Sequence, residues 1–521
     1  MLQQKHEIFS SLKESGTVPP IANERVLVMN VYYKSTRGKE SNVTASMAIL
    51  KGLANDGGLF MPEVMPKLEI SMKDLAKMTY QETAYEVMKL FLTDFTKEEL
   101  ESCIQKAYDD KFDTEEIAPL VKADGAYYLE LFHGNTIAFK DMALSILPHL
   151  MITAAKKNHV DKEIVILTAT SGDTGKAAMA GFADVSGTKI IVFYPKDGVS
   201  RVQELQMLTQ KGENTFVVGI DGNFDHAQSG VKAIFHDEKF AKEMEEHGYQ
   251  FSSANSINIG RLVPQIVYYV YAYAKLLENG EITDGEQIQV CVPTGNFGNI
   301  LAAYFAKQIG VPISKLICAS NENKVLFDFF QTGTYDRNRE FILTSSPSMD
   351  ILISSNLERL IYLSCGQDAK KNAELMEELA KNGVYTVTEE MRQFMKDFEG
   401  GFASEEQVAE EIAHVYKETG YVIDTHTAVA STVCRSMRTE DSPKTVIAST
   451  ASPYKFARSV VEAINGKENK KDDLEYIEEL HQISGVKVPQ AVEEILHAAI
   501  RHNRICASDQ MSQTVKQILG F

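Results

Sequence analysis

After Tyr127 the chain settles into a regular alternation. Short, unbroken runs rich in Ile and Val are separated by longer stretches whose apolar residues recur at helical spacing. The runs are Ile164 to Ala169, Ile190 to Tyr194, Phe216 to Ile220, Ile288 to Val292, Leu316 to Ala319 and Val446 to Ala448. A strand with one wet face carries polar residues at every second position. These runs lack that alternation, which predicts strands of a parallel sheet covered on both faces by helices, an α/β class. Ligands of such open sheets bind beyond the carboxyl ends of the strands, so the residues following each run are the candidates for chemistry.

The flanking chain reads differently. Residues 1–28 form a polar leader, and residues 29–125 an amino-terminal helical region: apolar positions recur at helical spacing from Ser41 to Leu53, the NDGG turn at 55–58 stops them, and residues 71–107 predict two amphipathic helices. Between Gly366 and Gly420 the chain is acidic and helical, split by Gly400 and Gly401, and reads as a helical excursion with a solvated face. Residues 466–521 read as a helical tail.

Composition narrows the function. With 521 residues, 44% hydrophobic and 24% charged, the chain has ample core for a globular protein of two or three domains. Its formal net charge of -19 opposes non-specific attraction to nucleic acid or anionic lipid, so a bound anion must be met by locally placed donors. The leader has no apolar signal core, and the most apolar helix, Leu262 to Leu277, carries Pro264, Gln265 and Lys275 and is too short to span a bilayer. Six cysteines without CxxC spacing read as reduced thiols of a cytoplasmic protein, and no metal site is expected.

Five segments carry candidate chemistry. In LFHGNTIAFKDMAL, Lys140 follows Ile137, Ala138 and Phe139, apolar neighbours that favour the neutral amine a nucleophile or base needs; an ordinary amphipathic helix start accounts for it equally well. TATSGDTGK places Ser171, Asp173 and Thr174 at a strand-to-helix turn, an anion site by its free N–H groups or, for Asp173, simply a cap. PTGNFGN places Gly295, Asn296, Phe297, Gly298 and Asn299 between strand and helix, a phosphate cradle without the lysine or spacing of nucleotide-binding loops, favoured over a plain strand-to-helix turn because such a turn more often uses one glycine than two. SSANSINIGR offers Asn255, Ser256, Asn258 and Arg261 as a second anion clamp or as turn and capping residues with a surface arginine. In STASPYKF, Ser449, Thr450 and Ser452 sit at a strand end, where a hydroxyl can donate to a buried heterocycle, and Lys455 on the following helix; capping by Ser452 with Pro453 at the first helical position is the ordinary explanation for part of it.

Taken in order, HGNTIAFKD, TATSGDTG, SANSINIGR, PTGNFGN and STASPYKF closely resemble the threonine synthases, pyridoxal phosphate enzymes of the tryptophan synthase β-like fold (fold type II). YYKSTRG and LANDGGLFMPE resemble the longer-chain branch of bacteria and fungi, and the likeness runs from Met29 to about Ile464. It implies a catalytic core of two lobes over 126–465, the smaller at about 160–260. Lys140 is implied as the lysine joined to pyridoxal 5'-phosphate, with residues 295–299 around the cofactor phosphate and Thr450 on the pyridine nitrogen. A neutral hydroxyl there, unlike a carboxylate, does not force the ring nitrogen to be protonated; the weaker electron sink suits moving charge toward Cγ over leaving it on Cα.

The implied reaction converts O-phospho-L-homoserine and water to L-threonine and phosphate. Asn255, Ser256 and Arg261, with Lys455 as a helper, are implied at the substrate phosphate, and Ser171, Asp173 and Thr174 near the substrate carboxylate or cofactor ring. Asp173 stands where many relatives of the fold have asparagine. The rival readings are a phospholyase or threonine dehydratase-like lyase giving 2-oxobutyrate, and a catalytically silent binding protein. His133 is read as a packed histidine with satisfied hydrogen bonds, and monomer and homodimer stay undecided.

Overall fold

The computed structural model describes residues 30–170, 173–196, 201–222, 224–467 and 471–521. All six apolar runs are strands, and they divide between two sheets. The larger has six strands in the order Phe398–Phe402, Ile313–Ser320, Ile288–Pro293, Thr445–Ser449, Ala126–Glu130 and Leu120–Ala123. All its pairings are parallel except the last, a hairpin closed by Asp124 and Gly125 at φ 44° and 71°, the turn conformation that Asp-Gly favours. The smaller sheet is parallel throughout, in the order Arg504–Ala507, Thr215–Asp221, Thr188–Pro195, Glu163–Ala169 and Tyr249–Ser252.

The order of the larger sheet prepares a site. Ala126–Glu130, Thr445–Ser449 and Ile288–Pro293 are neighbours, so the chain leaving their carboxyl ends emerges at one edge. Those exits carry Lys140, Thr450 and the Gly295 turn. The helix Ile259–Glu278 runs through the centre, buried on all sides over most of its length, and its Tyr271 meets Tyr80 of the amino-terminal helix Tyr80–Phe91 edge-on at 5.2 Å. That helix and Lys97–Ala107 begin with full capping boxes, Thr79 with Glu82 and Thr96 with Glu99, so two amphipathic helices start where the sequence sets them. A third, short helix, Met72–Leu75, precedes them.

Two expectations need correction. The 366–420 excursion is not helical throughout: Phe398–Phe402 is the edge strand of the larger sheet, parallel to Ile313–Ser320. Gly400 and Gly401 interrupt the helical pattern because they lie in that strand, where a Cβ would stand 3.1 Å from the Phe327 Cα and 2.4 Å from a Val433 methyl. The tail carries the helices Asp473–Ser484, Gln490–His497 and Met511–Leu519, but also the strand Arg504–Ala507, whose run of RICA is too short and too polar-flanked to be read as one. The leader lies outside the described residues.

Candidate active site

The lysine turn is built by backbone pairing between two strand exits. Leu131 N–H donates to the Ser449 carbonyl at 3.0 Å, Phe139 N–H to the Thr450 carbonyl at 2.8 Å, and Ser452 N–H to the Ile137 carbonyl at 3.0 Å. Ala138 and Ala451 thereby form an antiparallel bridge, which sets Lys140 beside Thr450. Ile137 is held at φ 52°, a strained conformation for a β-branched residue that the flanking bonds enforce. Asp141 closes the turn from the other side, its two carboxylate oxygens accepting from Thr136 N–H and Thr136 Oγ1 at 2.7 Å each.

Lys140 is 9% exposed. Its Nζ lies 3.3 Å from Ser348 Oγ and 3.7 Å from Asp173 Oδ2. Burial lowers its pKa from the ordinary lysine value, Asp173 opposes that shift, and Lys455 and Arg261 add to it. The apolar setting read from the sequence therefore does favour the neutral amine, against one facing carboxylate.

Asp173 begins the helix Asp173–Phe182 of the smaller lobe, but its carboxylate is turned to the lysines. Oδ1 lies 3.1 Å from Lys455 Nζ and accepts from Gln203 Nε2 at 3.0 Å, and Oδ2 accepts from Ser348 Oγ at 2.9 Å. The hydroxyl of Thr170, not Asp173, accepts the Gly175 N–H of the first turn, at 3.0 Å. Burial alone would raise the Asp173 carboxyl; Lys455 and Lys140 hold it well below the usual carboxylate range. Lys455 has a wholly buried side chain and also donates to the Thr136 carbonyl at 3.1 Å. Thr174 is half-buried beside Asp173, and Ser171 lies outside the described residues.

The glycine turn enters the helix Gly298–Ile309 through Phe297 at φ 64°, with no side chain capping the first turn. Its Phe297 ring packs on Phe398 at 5.7 Å, fixing the turn to the edge strand. Gly295 must be glycine because a Cβ would lie 2.5 Å from the Ser348 carbonyl oxygen. Ser348 thus touches the lysine through its side chain and the glycine turn through its backbone, so both motifs line one cleft. Ser354 Oγ donates to the Gly295 carbonyl at 2.7 Å, and Asn356 donates to the Asn296 carbonyl through N–H at 3.1 Å and Nδ2 at 3.0 Å.

The third loop meets the second through Asn356, whose Nδ2 also approaches Ser256 Oγ at 3.3 Å. Arg261 is 3% exposed, donates from Nη1 to the Ala254 carbonyl at 3.0 Å, and is lowered to about 10 by burial. Asn255 is exposed. Asn258 serves the frame: its side chain caps Gly260 N–H at 2.9 Å and ties to the Ile49 carbonyl at 3.0 Å. The sequence reading missed Ser348, Asn356 and Arg359. Arg359 is fully buried and spans Phe60 O at 3.1 Å, Ile257 O at 2.6 Å and Asn356 Oδ1. The run of small polar residues TSSPSMD and SSN ahead of Leu357–Ser364 was the available signal. His133 does pack with both ring nitrogens bonded, to Asp113 and, at 2.9 Å, to Glu130.

Several donors here have no partner among the described residues. The first turn of Gly298–Ile309 is uncapped, Asn299 Nδ2 in that turn is buried and unbonded, and so is Arg261 Nε. Asn299 Oδ1 meanwhile accepts from the Tyr268 hydroxyl at 3.0 Å and from that of Tyr269, which fixes the amide orientation. Orphaned donors at a helix amino terminus suit an anion. A buried amine for an aldehyde carbon and an uncapped helix start for a phosphate fit pyridoxal phosphate. A groove of about 850 Å³ lies elsewhere, where Asn135 and Asp141 meet Lys106, His149 and Ala183, and Lys140, Ser348 and Gly295 do not line it.

Comparison with known proteins agrees with this geometry. Residues 32–108 match the family described as threonine synthase N terminus, 113–452 the pyridoxal-phosphate dependent enzymes, and 427–502 the threonine synthase C-terminal family. The chain is 40% identical over 452 residues to threonine synthase-like 1 of Homo sapiens, covering 84% of this chain and 60% of that protein, so it spans about 60% of the length of such relatives. It is 35% identical over 489 residues to threonine synthase of Saccharomyces cerevisiae, covering 87% of this chain and 93% of the yeast protein. The crystal structure of PLP-bound threonine synthase from Brucella melitensis superposes with a TM-score of 0.84 at 32% identity, over 94% of this chain and 100% of that one.

Proposed function

As the chain belongs to the threonine synthase family of pyridoxal-phosphate-dependent enzymes, we propose that it converts O-phospho-L-homoserine and water to L-threonine and phosphate. The observation that carries this reading is the placement of a buried Lys140 amine and the uncapped Gly295 to Asn299 turn on either side of Ser348. Pyridoxal phosphate, when bound, supplies the electron sink that lets substrate C–H bonds be broken by a modest base.

The chain's own residues do the rest. Lys140 holds the cofactor, and once freed its amine, biased toward neutrality by burial, takes the proton from the substrate Cα and shuttles it. The backbone N–H groups of Gly298 and Asn299, with Asn299 Nδ2, bind the cofactor phosphate, Gly295, Asn296 and Phe297 shape the turn, and the Thr450 hydroxyl meets the ring nitrogen. Arg261, with Ser256 and Asn255 and helped by Lys455, binds the substrate phosphate that leaves from Cγ, where a buried guanidinium with an unused Nε is a strong charge-assisted donor. Asp173 and Thr174 lie near the substrate carboxylate or the cofactor ring; Ser171, assigned with them, lies outside the described residues. A Cβ proton is lost as phosphate leaves from Cγ, Cγ gains a proton in its place, and water then adds at Cβ while the Cα proton is returned.

Among the described residues no helix is long and apolar enough to cross a membrane. We read the compartment as cytoplasmic because all six cysteines are free thiols. Incubation with pyridoxal phosphate and O-phospho-L-homoserine, followed by product analysis, tests the reading: equal release of threonine and phosphate is expected, and 2-oxobutyrate in place of threonine overturns it.

A further inference from the structure

The segment 344–356 is strapped at both ends and presents one side chain at its middle. Asn321 Nδ2 donates to Thr344 Oγ1 at 2.8 Å and to Asp350 Oδ1 at 2.7 Å, and Asn323 Nδ2 adds a bond to Asp350 Oδ1 at 2.9 Å. Thr425 Oγ1 donates to the Ser345 carbonyl at 2.8 Å. The far end is held to the glycine turn by Ser354 and Asn356. At the middle, Ser348 N–H donates to His426 Nε2 at 3.2 Å. That fixes the imidazole tautomer: Nδ1–H donates to Asp424 Oδ2 at 2.8 Å, and the same carboxylate caps Thr425–Met437 by accepting backbone N–H groups.

These straps leave the Ser348 hydroxyl one arrangement. A carboxylate only accepts, so the single hydroxyl hydrogen goes to Asp173 Oδ2 at 2.9 Å. The oxygen lone pairs then face Lys140 Nζ at 3.3 Å, nearer than the carboxylate itself at 3.7 Å. We propose that Ser348 is a catalytic residue that receives the Lys140 amine whenever that amine is not bonded to cofactor, holding it by the hydroxyl oxygen against the glycine turn. This rests on the reading of Lys140 as the cofactor-bearing lysine. In each turnover the lysine is set free and must stay within reach of both substrate and cofactor; a long four-carbon stem without an acceptor samples many rotamers. Ser348 stores the amine in one place, Asp173 orients the hydroxyl, and His426 fixes its height over Gly295.

The hydroxyl oxygen also stabilises the ammonium form, so its removal makes the amine easier to deprotonate. The other charged groups facing Lys140 are Asp173 on the smaller-lobe helix, Lys455 beyond the Thr445–Ser449 strand, Arg261 on the central helix and Asp141 next to it. All remain in a Ser348→Ala protein, which loses the hydroxyl's two bonds, the one accepted from Lys140 and the one donated to Asp173.

The test follows the attachment of pyridoxal phosphate to cofactor-stripped full-length protein across pH, by visible absorbance and by mass after borohydride reduction. Ser348→Ala is expected to lower the pH midpoint of attachment by about one unit, the size of one charge-assisted hydrogen bond, and to reduce kcat about tenfold with KM little changed. Ser348→Thr, which keeps the hydroxyl, is expected to restore the native midpoint. An unmoved midpoint in a Ser348→Ala protein of native thermal stability overturns the proposal, and so does a threonine variant that shifts as far as the alanine one. If the alanine variant does not fold, the threonine and cysteine variants are compared instead; equal midpoints for a hydroxyl and a thiol, which is a much weaker acceptor, overturn it equally. Absence of attachment in the native protein is a different failure, that of the lysine assignment itself.

Discussion

Lys455 and Asp173 form an ion pair at 3.1 Å that joins the two lobes, with the lysine side chain wholly removed from water. One partner follows the last strand of the larger sheet and the other opens the first helix of the smaller lobe. A pair this deep repays its desolvation only while both members are present.

Lys455→Met is therefore expected to cost about 3–5 kcal/mol, because it strands a buried carboxylate. The Asp173 carboxyl is held low in the folded protein, so its contribution is present above its unfolded value and is lost as the pH falls. The deficit of the variant should thus be largest near neutral pH and narrow in acid. Urea unfolding at several pH values measures it, and Asp173→Asn combined with Lys455→Met should recover part of the loss.

Lys140→Ala should abolish covalent cofactor attachment and lower turnover by more than about a thousandfold. Borohydride treatment followed by intact mass is the check. A cofactor mass still fixed to the variant would assign the attachment to another lysine.

Asn299→Asp keeps the oxygen that Tyr268 and Tyr269 use but replaces the free Nδ2 donor by negative charge. Affinity for pyridoxal phosphate is expected to fall by more than about tenfold, the scale of one lost charge-assisted bond, whereas binding of pyridoxal, which lacks the phosphate, should barely change. Absorbance titration with the two compounds separates these outcomes.

His133 is raised from 6.5 to about 9: burial opposes the charged form, but the hydrogen bonds to Asp113 and Glu130 outweigh it. A folded value above the unfolded one stabilises fully below pH 6.5 and is lost as the pH rises through about 9. Between those limits the thermal midpoint of the native protein should fall more steeply than that of His133→Gln. Parallel slopes would show that the cluster contributes nothing to folding.

What could be read from the sequence follows from locality. Runs such as Ile164 to Ala169 announce themselves because a strand buried on both faces needs apolar residues throughout. Lys140, Asp173 and Lys455 were each visible beside a motif, yet their meeting depends on Phe139 pairing with Thr450 and on the approach of the smaller lobe, relationships that no short window contains. Asp173 looked like a cap because caps are what acidic residues at helix starts ordinarily are. Phe398–Phe402 was hidden by two glycines chosen for the helices packed on it, and Ser348 by a segment with no period at all.

The strand Arg504–Ala507 pairs with Thr215–Asp221, setting Arg504 opposite Val218 at the rim of the smaller sheet. The glycine turn and the strand Thr445–Ser449, on which the lysine turn closes, are both synthesised between those two segments. A nascent chain can therefore close its lysine turn and glycine turn while Thr215–Asp221 still offers an open ladder of amide groups to any passing strand. Completing the protein is then a matter of order in time as much as of affinity: the late-emerging segment seals an edge that the ribosome leaves bare for most of translation.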